Sequence, residues 1–574
     1  MRKGIAPALL LSVFGLLVGA SSYNNSVTVD ESAHLPLGLC YLRTGNPAYA
    51  LMHGPLAEVL AALGLSLSDA RCEIQAPQTD LDFWRTAYAF FEQNPTHYLH
   101  LFRLGRIPIL VLALLLGLLV FAWTRKRRDR LTAILALFLF AFGPNLIAHA
   151  GLATTDLAVT AFSFASVAAL WFYLQRPSWP RLALAGAALG GALLSKYTAG
   201  LLVLLVPILL AFGASKDQPR LPRPFLLRRA PATILATLGL GLIAWLVLLL
   251  GYSWDHCFEP LSAFTFKSGW WQGLQAALPG WLPLPFPRQL IEGLDLQSFD
   301  IARPWPIYLL GRLSTRGSRY YQLVVLLYKL PLSLIIILAL GLLSLILHKI
   351  LAKKPGAQTF WSGNLWWTLF PAAAWVAALS FLGSSQFGVR LLIPAIPFLQ
   401  LFAADTLAAM LGSTGIPFRK RSTGILARST GILACALLTW YAASTLLAFP
   451  FYISYFNELA GGPFNPHRGH EILLDSNLDW DQDWLRFARA QEQNHWEPLH
   501  YAQFGVIEPE AYGVKGEPLG CEPVEGYVAI SVNLVHGMDP IHRQGLCYTW
   551  LSFRQPLAKM DSSIWVFHFG PSAR

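Results

Sequence analysis

Apolar residues come in long unbroken runs along this chain, not in the alternation of strands or the one-sided periodicity of surface helices. A hydrocarbon core about 30 Å thick takes about 20 apolar residues per helical span. Eleven stretches approach that length, near 4–22, 103–123, 131–149, 157–174, 182–195, 198–213, 231–251, 322–347, 364–382, 391–411 and 430–449. Two of them, 182–195 and 198–213, are short and meet at Ser195-Lys196-Tyr197. Between the runs lie three longer blocks, 23–102, 252–321 and 450–574. In the last, "GYVAISVNLV" (526–535) and "SIWVFHFG" (563–570) read as strands between Gly and Pro punctuation. The pattern predicts a polytopic α-helical membrane protein with about 11 spans over 1–449 and a small α+β domain over 450–574.

Composition agrees: 55% of residues are hydrophobic and 13% charged, against about 25% charged in soluble domains. About half of the 43 Lys and Arg fall in alternate connections: Arg2-Lys3, "RKRRDR" (125–130), Arg176 and Arg181, "KDQPRLPRPFLLRR" (216–229), Lys349 with Lys353 and Lys354, and Arg419 to Arg421 with Arg428. The connections 143–155 and 383–389 carry none. Because basic loops stay in the cytoplasm, the N-terminus is expected inside and 450–574 outside the inner (plasma) membrane. The net charge of +11 is then a matter of topology, and nucleic acid is not an expected partner. Arg2-Lys3, the apolar run and Val18-Gly-Ala20 also fit a cleaved signal peptide; a retained first span is preferred, and both readings put residues 28–34 outside. Of six cysteines, Cys40, Cys72, Cys257, Cys521 and Cys547 fall on that side, where disulfides form. Cys521 with Cys547 is the expected pair, Cys40 with Cys72 a second. None has zinc spacing.

Ionisable residues at the mouths of apolar runs are costly, so each invites a role. "TVDESAH" (28–34) places Asp30, Glu31 and His34 after the first run. Asp30 suits a general base whose proton affinity an apolar surface would raise; it suits equally a cap on the helix that follows. "AHAGLATTDLAV" (148–159) holds His149 and Asp156, with Thr154 or Thr155 as a cap and Asp156 at the positive helix end as the plainer alternative. Arg106, Lys196, Lys329 and Arg390 lie near outer boundaries against the charge bias. Snorkelling accounts for each singly; together they suit a lipid-linked phosphate. "LLDSNLDWDQDWL" (473–485) places Asp475, Asn477, Asp479, Asp481 and Asp483 at every second position. An EF-hand would need Gly at Trp480 and Glu at Arg486; an extended segment would line the acids along one face.

Other stretches carry less. Residues 81–106 suit an interfacial amphipathic helix, and Trp270, Trp271 and Trp281 suit headgroup anchoring or a sugar face. "RSTGILA" occurs at 421–427 and again at 428–434, a duplication that lengthens a loop. No GxxxxGK and no strand-borne GxGxxG is present, which turns attention away from a soluble nucleotide sugar.

The stretch "VDESAHLPLGLCYLRTGNPAYALMHGPLAEVLAALGL" (29–65), "NLIAHAGLATTDLAV", "LLYKLPL", "RLLIPAIP" and "YFNELAGGPFN" with "LLDSNLDWDQDWLRF" (to 487) resemble the bacterial branch of the protein O-mannosyltransferase-like, phospholipid carrier-dependent glycosyltransferases (glycosyltransferase family 39 type). These are membrane-integral C-type (GT-C) enzymes, alongside the aminoarabinose transferases of lipid A modification. The resemblance implies an inverting transfer from a polyprenyl-phosphate sugar to a hydroxyl of a protein, lipid or glycan, outside the membrane. It implies Asp30 as the catalytic acidic residue with Glu31 its partner, Asp156 as the second acidic position, and Lys196, Lys329 and Arg390 near the lipid phosphate. His34, His53 and His149 lie beside these positions. A divalent metal would call on His53 or His149 near the acids, but no ligand spacing supports one. Relatives often carry HPPL where this chain has His53-Gly54-Pro55-Leu56, and DWGQD where it has DWDQD. The competing class is a transporter or flippase of a lipid-linked sugar; that predicts ionisable groups near the midplane and inverted repeats, whereas the groups here cluster at outer ends.

Overall fold

The computed structural model describes residues 4–213, 224–351, 365–382, 386–412, 425–539 and 547–570. The basic residues at 2–3, 216–223, 353–354 and 419–421, and most of the first copy of the repeat, lie outside them.

Helix forms wherever the apolar runs were found. In chain order the bundle comprises α1 (Ile5–Tyr23), α5 (Tyr98–Arg127), α6 (Arg130–Ala141), α7 (Pro144–Ala150), α8 (Thr155–Gln175), α9 (Trp179–Ser195), α10 (Leu201–Phe212) and α11 (Pro224–Gly251), then α14 (Tyr321–Lys329), α15 (Leu332–Leu351), α16 (Leu369–Leu382), α17 (Ile396–Met410) and α18 (Ile425–Leu447). Among the described residues six segments are long and apolar enough to cross a membrane, and counting each of two bent pairs as one span brings the total to eight. The chain is therefore a multi-pass membrane protein. The other three predicted spans are shorter helices of 17, 12 and 14 residues, α9, α10 and α16.

Proline sets both bends. α6 and α7 meet at 63°, and α14 and α15 at 114°. Pro144 and Pro331 lack an N–H for the helix ladder and drive the preceding residue extended; Gly143 has ψ 107° and Leu330 ψ 141°. The predicted span 322–347 is thus a sharply broken one.

The first polar block folds as α2 (Glu31–Thr44), α3 (Pro55–Ala62) and α4 (Asp80–Gln93). The single helix expected over 81–106 is two, because Asn94-Pro95 ends α4 and α5 starts a new direction. The second block contains α12 (Gly269–Ala277), α13 (Arg288–Ala302) and the hairpin β1 (Ile307–Leu309) with β2 (Arg312–Ser314). Trp271 is buried on Phe266, whereas Trp270 and Trp281 are exposed.

The C-terminal region is stitched to the start of the first block. Ser26 N donates to Gln482 O (2.9 Å), Val29 N to Trp480 O (3.1 Å) and Ser26 Oγ to Asp481 O (2.6 Å). Beyond α19 (Trp484–Asn494), five strands form one mixed sheet: β3 (Leu499–Ala502), β4 (Glu517–Pro518), β5 (Gly526–Ser531), β6 (Ala558–Met560) and β7 (Ile564–Phe569), in the order β4-β3-β5-β7-β6. β5 runs parallel to β3 and antiparallel to β7. Val528, Ala529, Ile530 and Val566 are all buried, as expected where both faces of a sheet are covered. The structure joins Cys521 to Cys547 beside this sheet, and Cys40 to Cys72 across α2.

Candidate functional site

Asp30 stands at the N-cap of α2 but makes no cap hydrogen bond. Glu31, the first helical residue, folds back instead, its Oε2 accepting from Thr28 N (3.1 Å) and Thr28 Oγ1 (3.0 Å). Asp30 is thereby left to turn toward Arg390, whose Nη1 donates to its Oδ2. Arg390 reaches it from the 3-10 segment Gly388–Ala395, with its guanidinium over the Trp480 ring at 4.8 Å and the Phe387 ring at 5.2 Å.

A second ion pair lies beside the first. Asp156, in the first turn of α8, accepts from Lys196 Nζ at 2.6 Å, and His149 Nδ1 lies 3.6 Å from its other oxygen. Thr154, at the N-cap, makes no side-chain cap hydrogen bond. Lys196 occupies the extended residue that separates α9 from the turn Tyr197–Gly200. The ill-defined boundary between two short apolar runs is thus where a cation enters the site.

Asp30, Arg390 and Lys196 open onto a cavity of about 470 Å³, within the usual range for small-molecule sites of about 300–1,000 Å³, with Asp156 and His149 behind Lys196. Asp30, Lys196, Arg390, His53 and Asp475 line it, and Leu201 and Leu204 of α10 with Trp375, Ala378 and Leu379 of α16 form an apolar wall. Trp84, Trp305 and Trp480 add aromatic surface. His34, one turn after Asp30, sits behind, with Nε2 4.0 Å from Asp30 Oδ2 and Nδ1 2.8 Å from Glu58 Oε1. Burial, then the nearby Lys196 charge, pushes His34 down to about 3. Burial also holds His53, whose ring centroid is 4.9 Å from that of His34, well below its usual value. Gly54 allows this layout: a Cβ there would fall 2.1 Å from Leu194 O, so the proline of the HPPL form has no room here.

Two of the predicted cations do not reach the cavity. Arg106 gives Nε and Nη2 to Glu31 at 2.8 and 2.7 Å, and its remaining contacts are to the carbonyls of Ser22, Asn25 and Ser26. Glu31 also accepts from Ala153 N at 2.7 Å. Both side chains are buried, and every guanidinium nitrogen is engaged. They bracket α5, residues 22–31 and the connection before α8. Lys329 is buried too, its Nζ donating to Ile453 O (2.9 Å) and Asn477 O (2.6 Å) and lying 4.5 Å from the Phe456 ring centroid. It fastens the C-terminal region to the bundle.

The acids of 475–483 diverge instead of lining one face. Asp475, at φ 62°, faces the cavity, and burial raises its carboxyl. Asp479 accepts from Ser531 Oγ, while Asp483 takes Arg486 Nη1 and Ser563 Oγ (2.7 Å). Sequence reasoning did not single out Glu58, although a carboxylate inside "PLAEVLAALGL" was the available signal. It also missed Asp405 in the apolar run of α17, which takes Arg127 and Arg128 at the far end of the bundle. Among the described residues no group of three or more His, Cys, Asp or Glu is arranged to hold a metal ion.

Comparison with known proteins gives a family match over part of the chain. Residues 9–224 match the model of the dolichyl-phosphate-mannose-protein mannosyltransferase family, the family the motifs resemble. That range includes Asp30, Glu31, Asp156 and Lys196 but not Arg390. No curated protein matches the sequence. Among solved structures the fold is similar to ArnT from Cupriavidus metallidurans bound to undecaprenyl phosphate, at 13% identity over 97% of each chain with a TM-score of 0.43. It is also similar to the Archaeoglobus fulgidus oligosaccharyltransferase AglB in complex with an inhibitory peptide and a dolichol-phosphate, at 10% identity, 93% of this chain, 70% of that one and a TM-score of 0.45.

Proposed function

We propose that this chain is a polyprenyl-phosphate-sugar-dependent glycosyltransferase that moves the sugar, with inversion, to a hydroxyl acceptor on the extracytoplasmic face of the inner membrane. The observation that carries the reading is the pairing of Asp30 with Arg390 and of Asp156 with Lys196 at a cavity that also has an apolar wall. Such a cavity suits a ligand that is charged at one end and greasy at the other.

The chemistry follows from the charges. The leaving group is a phosphate, so it needs cations more than a proton, and Arg390 and Lys196 supply them where charge develops. Once Arg390 turns to the phosphate, Asp30 is released. Its carboxylate takes the proton of the acceptor hydroxyl as that oxygen attacks the anomeric carbon through an oxocarbenium-like state. Asp156 keeps Lys196 extended toward the cavity, and Glu31 assists by holding the backbone under Asp30. The distribution of basic loops supports a cytoplasmic N-terminus and a C-terminal region, 450–574, that lies outside as a domain beside the transmembrane domain 1–449. The two disulfides, both on the outer side in that reading, support it.

Reconstitution of the purified protein with a labelled polyprenyl-phosphate sugar and a hydroxyl acceptor tests the reading. Label appearing on the acceptor, with free polyprenyl phosphate released, is the expected result. Intact donor that has merely crossed the bilayer would instead identify a flippase.

A further inference from the structure

Glu58 is a buried carboxyl with no part in the mechanism above. α3 brings it to α2 at close range because residue 38 is glycine: a Cβ there would fall 2.1 Å from Glu58 O. At that distance Glu58 Oε1 meets His34 Nδ1 at 2.8 Å, and the other ring nitrogen of His34 looks along its helix to Asp30 Oδ2, 4.0 Å away. His34 lies one turn beyond Asp30, so carboxyl, imidazole and carboxylate form one row ending at the cavity. Glu58 and His34 are 2% and 1% exposed, so solvent does not compete for these nitrogens.

We propose that Glu58 is a positioning residue for the base: its carboxyl O–H donates a hydrogen bond to His34 Nδ1, keeps the imidazole N–H on Nε2, and so presents a donor to Asp30. This rests on the reading of Asp30 as the general base. An imidazole has one N–H and one lone pair when neutral, and the hydrogen bond at one nitrogen decides which faces the other way. With the proton on Nε2, His34 draws one Asp30 oxygen toward itself when Arg390 moves to the phosphate, leaving the second oxygen for the acceptor. With the proton on Nδ1, a lone pair would face the carboxylate and repel it. The charged groups around the ring are consistent with a neutral imidazole: burial pushes Glu58 well up and His34 down, the His53 ring lies against it at a 53° tilt, and Lys196, Asp156 and Arg390 act from beyond.

The test compares Glu58→Gln, whose amide N–H still donates, with Glu58→Met, which cannot. Histidine-specific 15N spectra of the reconstituted full chain, with His34 assigned by difference from His34→Gln, report the tautomer directly. Expected are an Nε2–H ring in wild type and Glu58→Gln, and loss of that preference in Glu58→Met. Transfer kinetics should show kcat lowered about 10-fold or more in Glu58→Met with donor KM within about twofold, an acid limb of the pH profile moved, and Glu58→Gln within about threefold of wild type. Thermal unfolding establishes that Glu58→Met is folded; should it not be, the wild-type and Glu58→Gln spectra decide. An Nδ1–H ring in wild type overturns the proposal, as does a folded Glu58→Met with unchanged tautomer and kcat. If wild type transfers no sugar, the functional reading fails by itself, and the tautomer spectra still judge this one.

Discussion

Arg390 lays a guanidinium nitrogen on Asp30 while its plane covers the Trp480 ring at 4.8 Å. In the proposed mechanism the cation that the donor phosphate needs is the one that masks the base, which would make donor binding and base release a single event. Removing it should injure both. Arg390→Ala is expected to lower kcat by about 10²–10³ and raise donor KM. Arg390→Lys should recover part of the binding and little of the rate, because an ammonium offers a point charge without the planar fork. Steady-state kinetics at varied donor concentration check this; an Arg390→Ala enzyme faster than wild type would show that unmasking Asp30 matters more than holding the phosphate.

Glu31 and Arg106 should behave differently from Asp30, despite the adjacency of the two acids. Breaking a buried, fully hydrogen-bonded pair typically costs about 3–5 kcal/mol. Glu31→Gln and Arg106→Leu are expected to lower the thermal midpoint sharply, and Arg106→Lys to rescue little, since three backbone carbonyls would lose partners. Asp30→Asn should leave the midpoint near wild type. Thermal unfolding of the detergent-solubilised variants separates the two acids.

Lys329 is held by two backbone carbonyls, so its removal is a stability effect. Lys329→Met leaves Ile453 O and Asn477 O unpaired, at about 1–3 kcal/mol, with donor KM within about twofold of wild type. A raised KM at an unchanged thermal midpoint would place Lys329 on the donor instead.

The bundle was legible because long apolar runs have few other uses. Asp30, Asp156, Lys196 and Arg390 were visible as ions at run ends, and the structure gathers all four. What stayed hidden depends on partners distant in sequence. Nothing local distinguishes Lys329 or Arg106 from Lys196, yet the first two spend their donors on carbonyls and Glu31. Likewise the alternating Asp and Asn residues of 475–483 imitate an extended strand, and the left-handed backbone at Asp475 and Asp481 sends them in different directions. Pro144 and Pro331 were signals the reading of 131–149 and 322–347 as single spans left unused, although proline breaks a helix ladder.

Asp561 carries a pH signature. Burial, then the charge of Asp483, pushes its carboxyl up to about 8, and Ser454 Oγ donates to it. A carboxyl whose folded value is raised binds its proton more tightly in the folded state, so its contribution is complete below about pH 4 and is lost as pH rises through about 8. The residue keeps some solvent contact, which reduces the effect to about 1–2 kcal/mol. Asp561→Asn should match wild type near pH 4 and be more stable at pH 9, as thermal unfolding at the two values will show.

In the proposed mechanism Asp30 removes the acceptor proton. The direct measurement is single-turnover sugar transfer from a labelled polyprenyl-phosphate sugar by purified, reconstituted wild type and Asp30→Asn, with donor binding and thermal midpoint determined on the same preparations. Expected for Asp30→Asn are donor binding within a few-fold of wild type, an unchanged midpoint and a transfer rate lowered by about 10²–10⁴. A folded, donor-binding Asp30→Asn protein that transfers sugar at the wild-type rate would contradict that mechanism.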